Sequence, residues 1–98
     1  MVLIIRENMD ALFEKEIGRR IRLFREKKKL TQEQLSAQLQ VNGCDITRSA
    51  LAKIEVGQRH IYPDELKLFA LLLGVSYSEL LDYKWQLLWA AFLRFTIQ

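Results

Sequence analysis

The sequence predicts an all-α fold: a bundle of five helices followed by an extra apolar C-terminal helix. Three observations carry this. Apolar residues recur at helical spacing of three and four along most of the chain, and no alternating β-period extends beyond a few residues. Polar capping signals and turn residues separate the apolar stretches at short intervals. The composition, half apolar with only 4 Gly and 1 Pro in 98 residues, builds one core in one domain.

The first helix is expected from Asp10 to Lys28. Its apolar positions Phe13, Ile17, Ile21 and Phe24 step by four, four and three, and the Lys27-Lys28-Lys29 run complements the negative end of the helix dipole. Residues 1–9 are read as an N-terminal extension. Thr31-Gln32-Glu33-Gln34 is a capping box, opening a second helix that runs to about Gln40 and buries Leu35 and Leu39. Val41 to Ile46 is a turn in which Asn42-Gly43 supplies the reversal. Thr47 caps a third helix, Arg48 to about Val56, that buries Ala50, Leu51 and Ile54 and leaves Arg48, Ser49, Ala52 and Lys53 on the opposite face. Gly57 ends it. Pro63 suits the first turn of a fourth helix, with Leu66, Phe69, Ala70 and Leu73 inward and Gly74 as its stop. Ser76 to Glu79 repeats the capping-box signal for a short fifth helix holding Leu80 and Leu81.

Charge and composition then narrow the function. From Lys15 to Lys29 there are eight basic side chains and two carboxylates, a net of +6, so the rest of a chain whose total is +3 sums to −3. A basic segment on a mildly acidic small protein suits a polyanionic partner, because each phosphate neutralised releases counterions; a merely solvated helix face is the plainer alternative. One Cys (Cys44) and one His (His60) provide neither a disulfide framework nor a metal cluster, and no acid, base and nucleophile set is apparent, so no enzyme, cofactor or metal is expected. Cys44 reads as an inert thiol and His60 as a loop residue. No apolar stretch is long enough to cross a bilayer, and the start of the chain lacks a signal-peptide pattern; a cytoplasmic protein is expected, with no membrane partner.

The segment Leu30 to Gly57 pairs two capped helices across a turn, and a helix of this diameter fits the DNA major groove. Such a pair occurs in any helical bundle, so the surrounding blocks matter. Ile17-Gly18-Arg19-Arg20-Ile21-Arg22, Arg25-Glu26-Lys27, Leu30-Thr31-Gln32-Glu33-Gln34-Leu35, Ile54-Glu55-Val56-Gly57, and the later Gly74-Val75-Ser76 with Leu80-Leu81 together resemble the Cro and phage-repressor type of helix-turn-helix domain. The resemblance spans roughly Glu16 to Leu81 and implies a repressor-like helix-turn-helix bundle. It implies that Gln32 contacts a phosphate and braces the reading helix, and that Arg48, Ser49 and Lys53 face the groove. Arg25 and Glu55 would form a structural salt bridge between helices one and three. Arg59, just after Gly57, and Lys28, at the basic end of helix one, are further candidates for the DNA backbone. One departure stands out: the connection Val41 to Ile46 is longer than the family's usual tight turn, which bears on the tilt between helices two and three.

The domain proper is placed at 10–82, leaving 83–98 as an apolar C-terminal helix. In that segment 11 of 16 residues are apolar, against 38 of the 82 before it. Leu81, Trp85, Leu88, Phe92 and Phe95 step by four, three, four and three, the spacing of two packed helices, and Trp89 and Leu93 widen the stripe. Such a surface requires burial. Homodimerisation through Trp85, Leu88, Trp89, Phe92 and Phe95 is the preferred expectation, with packing onto the chain's own helices, over Met1 to Ile5, as its alternative. The functional expectation is a sequence-specific regulator of transcription, a repressor acting as a homodimer on an inverted repeat in double-stranded DNA. The rival is a protein-interaction module, an antitoxin or adaptor, whose apolar tail grips a partner protein.

Overall fold

The computed structural model describes residues 2–81, with side chains described from residue 11 onward. Five helices follow one another: α1 (Val2–Lys27), α2 (Gln32–Val41), α3 (Arg48–Glu55), α4 (Pro63–Leu73) and α5 (Tyr77–Leu81). Among the described residues there is no strand. The expected C-terminal helix 83–98 lies outside them.

α1 is the spine, packing against α3, α4 and α5, while α2 packs against α3 and α4. It starts at Val2 rather than at Asp10, so the stretch read as an extension continues the helix. The run Val2-Leu3-Ile4-Ile5 has no helical period to read, but nothing from 2 to 9 stops a helix either, since it holds neither Gly nor Pro. The predicted stripe is otherwise kept: Ile17 and Ile21 are buried, with Phe13 and Phe24 half-buried at its ends. They meet Leu35 and Leu39 of α2, Leu51 and Ile54 of α3, Phe69, Ala70 and Leu73 of α4, and Leu80 of α5.

Local chemistry sets the helix ends. The Thr31 hydroxyl accepts the Gln34 amide at 3.1 Å while the Gln34 side chain accepts the Thr31 amide at 2.9 Å, completing the capping box at α2. Ser76 and Glu79 repeat it at α5. α1 to α4 share one mode of ending: an amide bonds five residues back as its predecessor bonds three back, around a residue in the left-handed region. Glycine holds that position after α2, α3 and α4, but Lys29, with φ 59°, holds it after α1.

Gly18 performs a different task. A Cβ there would lie 2.0 Å from the Ile54 carbonyl oxygen, so α1 and α3 approach at a distance only glycine permits. The long α2–α3 connection is anchored. Ile46 is fully buried, the buried Ser36 hydroxyl donates to the Ile46 carbonyl at 2.7 Å, and the Cys44 amide donates to Leu39 at 2.9 Å. The extra residues therefore form a plugged turn that fixes where α3 begins.

Candidate nucleic-acid interface

α3 is a short amphipathic helix. The Thr47 hydroxyl accepts the Ala50 amide at 3.1 Å, Leu51 and Ile54 are fully buried, and Ala50 is half-buried, as the spacing predicted. Arg48, Ser49 and Lys53 are exposed on the other side, with Ala52 half-buried between them. Among the described residues, neither the Arg48 guanidinium nor the Lys53 ammonium is drawn into an intramolecular ion pair. This face thus presents two cations and a hydroxyl to solvent on a backbone fixed from behind.

The fixing is done by one buried network. Arg25 donates to both carboxylate oxygens of Glu55, from Nε at 2.7 Å and Nη2 at 3.0 Å, and from Nη1 to the Leu30 carbonyl at 2.8 Å. The Gln32 side-chain amide donates to the same carboxylate at 3.1 Å. One carboxylate at the end of α3 therefore ties together the end of α1, the α1–α2 turn and the start of α2. Both members of the ion pair are buried, at 8% exposure for Arg25 and 4% for Glu55. The Glu55 hydrogen bond holds the Arg25 pKa above its usual value, with burial opposing and the Glu55 and Glu26 charges reinforcing it.

Arg48 and Gln32 come together. With Arg22, Arg25, Thr31 and Glu33 they line one open groove between α1, the start of α2 and the start of α3. Only part of the basic run on α1 is left to such a groove. Arg19 pairs with Glu16 at 2.6 Å, Arg22 with Glu26 at 2.9 Å, and Arg20 donates to the Glu79 carbonyl at 3.1 Å. The Arg19 and Arg22 pairs are exposed and within one helix, hence weak enough for a phosphate to displace.

Two of the expected backbone contacts are occupied elsewhere. The Lys28 ammonium donates to the Leu72 carbonyl at 3.0 Å, at the C-terminal end of α4, where a cation satisfies an otherwise open carbonyl. Arg59 clamps Glu65 with two bonds at 3.0 and 3.1 Å and donates to the His60 carbonyl at 3.0 Å. Burial alone would raise the Glu65 pKa; the Arg59 hydrogen bonds and the Tyr62 amide overcome it, and the net direction is down. His60 pairs with Glu14 of α1. Cys44 is half-buried, and burial first, then the nearby carboxylates Glu65, Asp64 and Asp45, push its thiol up against the opposing charge of Arg59.

Sequence reasoning missed Glu65 and Ser36. Glu65 announced itself only as an acid three residues after the residue preceding the helix, the place where its carboxylate accepts the Tyr62 amide at 3.0 Å. Ser36 gave a weaker signal, a polar residue beside the apolar Leu35 and Leu39. The proposed tail contacts Trp85, Leu88, Trp89, Phe92 and Phe95 lie outside the described residues. No helix among the described residues is long and apolar enough to cross a membrane.

Comparison with known proteins adds one finding. Residues 18–84 match the family described as helix-turn-helix domain, about two thirds of the chain. No curated protein and no solved structure matches.

Proposed function

The chain belongs to the helix-turn-helix domain family, and from that premise we propose that it is a sequence-specific regulator of transcription that reads double-stranded DNA with α3. The observation that carries this is the outward face of α3, with Arg48, Ser49 and Lys53 exposed above a buried Arg25–Glu55–Gln32 network. A reading helix must be rigid before it meets a base, because contacts formed by ordering a loose helix lose their gain to entropy. In this reading Arg48 and Lys53 reach base edges or their flanking phosphates, and Ser49 donates or accepts at an edge between them. Gln32, with one amide hydrogen on Glu55, keeps a second hydrogen to donate to a phosphate of the DNA backbone. Lys28 and Arg59 serve first as internal clamps and stand behind the interface.

The protein acts as a repressor, in the proposed account, by occupying its site as a homodimer. Two copies of α3 entering successive major grooves on one side of the duplex sit about 34 Å apart, which calls for an inverted repeat. The C-terminal segment, with Trp85, Leu88, Trp89, Phe92 and Phe95, supplies the apolar surface for pairing. Selection of bound duplexes from a random pool tests the whole reading. The expected outcome is enrichment of one inverted repeat; binding without enrichment removes the sequence-reading role, and no binding at low salt removes DNA as the partner.

A further inference from the structure

α3 is gripped at both ends from one face of α2. Gln32 and Ser36 stand one helical turn apart, so their side chains leave α2 on the same side. At the far end of α3, the Gln32 side-chain amide donates at 3.1 Å to Glu55, the last residue of that helix. At the near end, the hydroxyl of Ser36, a residue only 5% exposed, donates at 2.7 Å to the carbonyl of Ile46, the residue before the Thr47 cap. A buried carbonyl in this place needs a donor, and among the described residues Ser36 is the one it has.

The connection between the two helices is tied to α2 along its length. The Cys44 amide donates to the Leu39 carbonyl at 2.9 Å, the Asn42 side chain donates to the Gln38 carbonyl at 2.8 Å, and the Ile46 amide turns back onto the Cys44 carbonyl at 2.9 Å. The Ile46 side chain is fixed as well. Ile46 and Leu51, both fully buried, occupy the two places of a hydrophobic staple, the pairing that sets the angle at which a chain enters a helix. Arg48 and Ser49, the first two residues of α3, follow Ile46 across the Thr47 cap and are exposed. Any displacement at Ile46 therefore reaches them directly, whereas Lys53 lies near the Glu55 end and is held by the other clamp.

We propose that α2 sets the angle of α3 through these two side chains, and that Ser36 is a positioning residue: without touching DNA, it determines which base edges Arg48 and Ser49 reach. The proposal rests on the reading of DNA by α3. Discrimination at a base edge needs donor and acceptor held to within about 0.5 Å, and the Ser36 bond supplies that fixity at the entry of the helix from inside the core. Phosphate contacts tolerate movement better, because charge rather than alignment carries them. Loss of the hydroxyl thus reduces base preference more than affinity, and at the front of α3 more than at its rear.

Ser36→Ala, which deletes only the hydroxyl, tests this on duplexes selected by the parent protein. Arg48→Ala, Ser49→Ala and Lys53→Ala first define the base pairs that depend on each side chain. At the base pairs of Arg48 and Ser49, Ser36→Ala should reduce discrimination by about fivefold or more, while preferences that depend on Lys53 persist. Ile46→Val, which trims the staple and leaves the hydrogen bond, should weaken the same positions. Ile17→Val, which trims the core at α1, should keep the parental profile. An unchanged profile in Ser36→Ala, or a uniform loss of affinity across all sequences, would overturn the proposal. Amide hydrogen exchange of the free protein gives a readout independent of DNA. In Ser36→Ala the Leu51 amide, bonded to the Thr47 carbonyl at 2.9 Å, should exchange about tenfold faster, with no change at the Gln58 amide, bonded to the Lys53 carbonyl at 2.8 Å. Equal acceleration at both amides, or none at either, contradicts the clamp even where duplex binding is intact. A parent protein that selects no duplex removes the DNA reading instead, and the exchange rates then decide the clamp by themselves.

Discussion

Glu55 accepts hydrogen bonds from two elements at once, from Arg25 near the end of α1 and from Gln32 at the start of α2. Removing it with Glu55→Ala leaves the buried Arg25 guanidinium with the Leu30 carbonyl and the exposed Glu26 carboxylate 4.0 Å away, and breaking a buried pair in this way costs about 3–5 kcal/mol. Urea unfolding should show that loss as a lower midpoint at unchanged slope. Gly18→Ala is expected to destabilise as well, by about 1–3 kcal/mol, because the new methyl meets the Ile54 backbone rather than a movable side chain; the gain in helix propensity, under about 1 kcal/mol, does not offset it. A thermal midpoint equal to or above that of the parent would contradict the close approach of α1 and α3. Glu65 gives the pH dependence. Its folded pKa lies below the ordinary glutamate value of 4.5, so its pair with Arg59 contributes stability above that value and loses it as pH falls through the folded pKa. Glu65→Gln should be less stable than the parent at neutral pH, with the difference shrinking as pH falls through the lowered folded pKa of Glu65.

At the scale of elements, helix ends were the most legible feature of the sequence. Thr31, Thr47 and Ser76 cap as their side-chain chemistry requires, and the stops at Gly57 and Gly74 follow from a backbone conformation that other residues adopt at a cost. The end of α1 breaks this pattern, since Lys29 takes the left-handed position. Lys29→Gly should therefore stabilise the protein by about 1 kcal/mol, seen as a raised thermal midpoint without loss of helical signal. Less legible were the start of α1 and the α2–α3 connection. An unbroken apolar run such as Val2 to Ile5 has no period to distinguish helix from anything else. Ile46 reads as part of a polar turn until Ser36, ten residues earlier, is seen to hold its carbonyl. Both failures have the same cause: the deciding contact, or the absence of a breaker, is not a local pattern.

Taken as a whole, the molecule places its charge differently from what the sequence sum suggests. Of the eight cations in residues 15–29, five are engaged by carboxylates or carbonyls of the protein itself: Arg19, Arg20, Arg22, Arg25 and Lys28. The candidate site was legible as a set of residue types, because Arg48, Ser49 and Lys53 stand out on the polar side of an amphipathic helix and the Arg25–Glu55 pair follows from the family resemblance. Which cations remain for a ligand was not, since Arg59 and Lys28 find their partners across the fold, at Glu65 and Leu72. The central claim, that α3 reads base sequence, is tested most directly by comparing the parent with Arg48→Ala on every single-base variant of the selected duplex. The variant is expected to lose discrimination at one base pair in each half-site, by about 1–3 kcal/mol, while preferences elsewhere in the site persist. A uniform weakening across all sequences, with a shallower salt dependence and no change in preference, would instead make Arg48 a phosphate contact and contradict the claim.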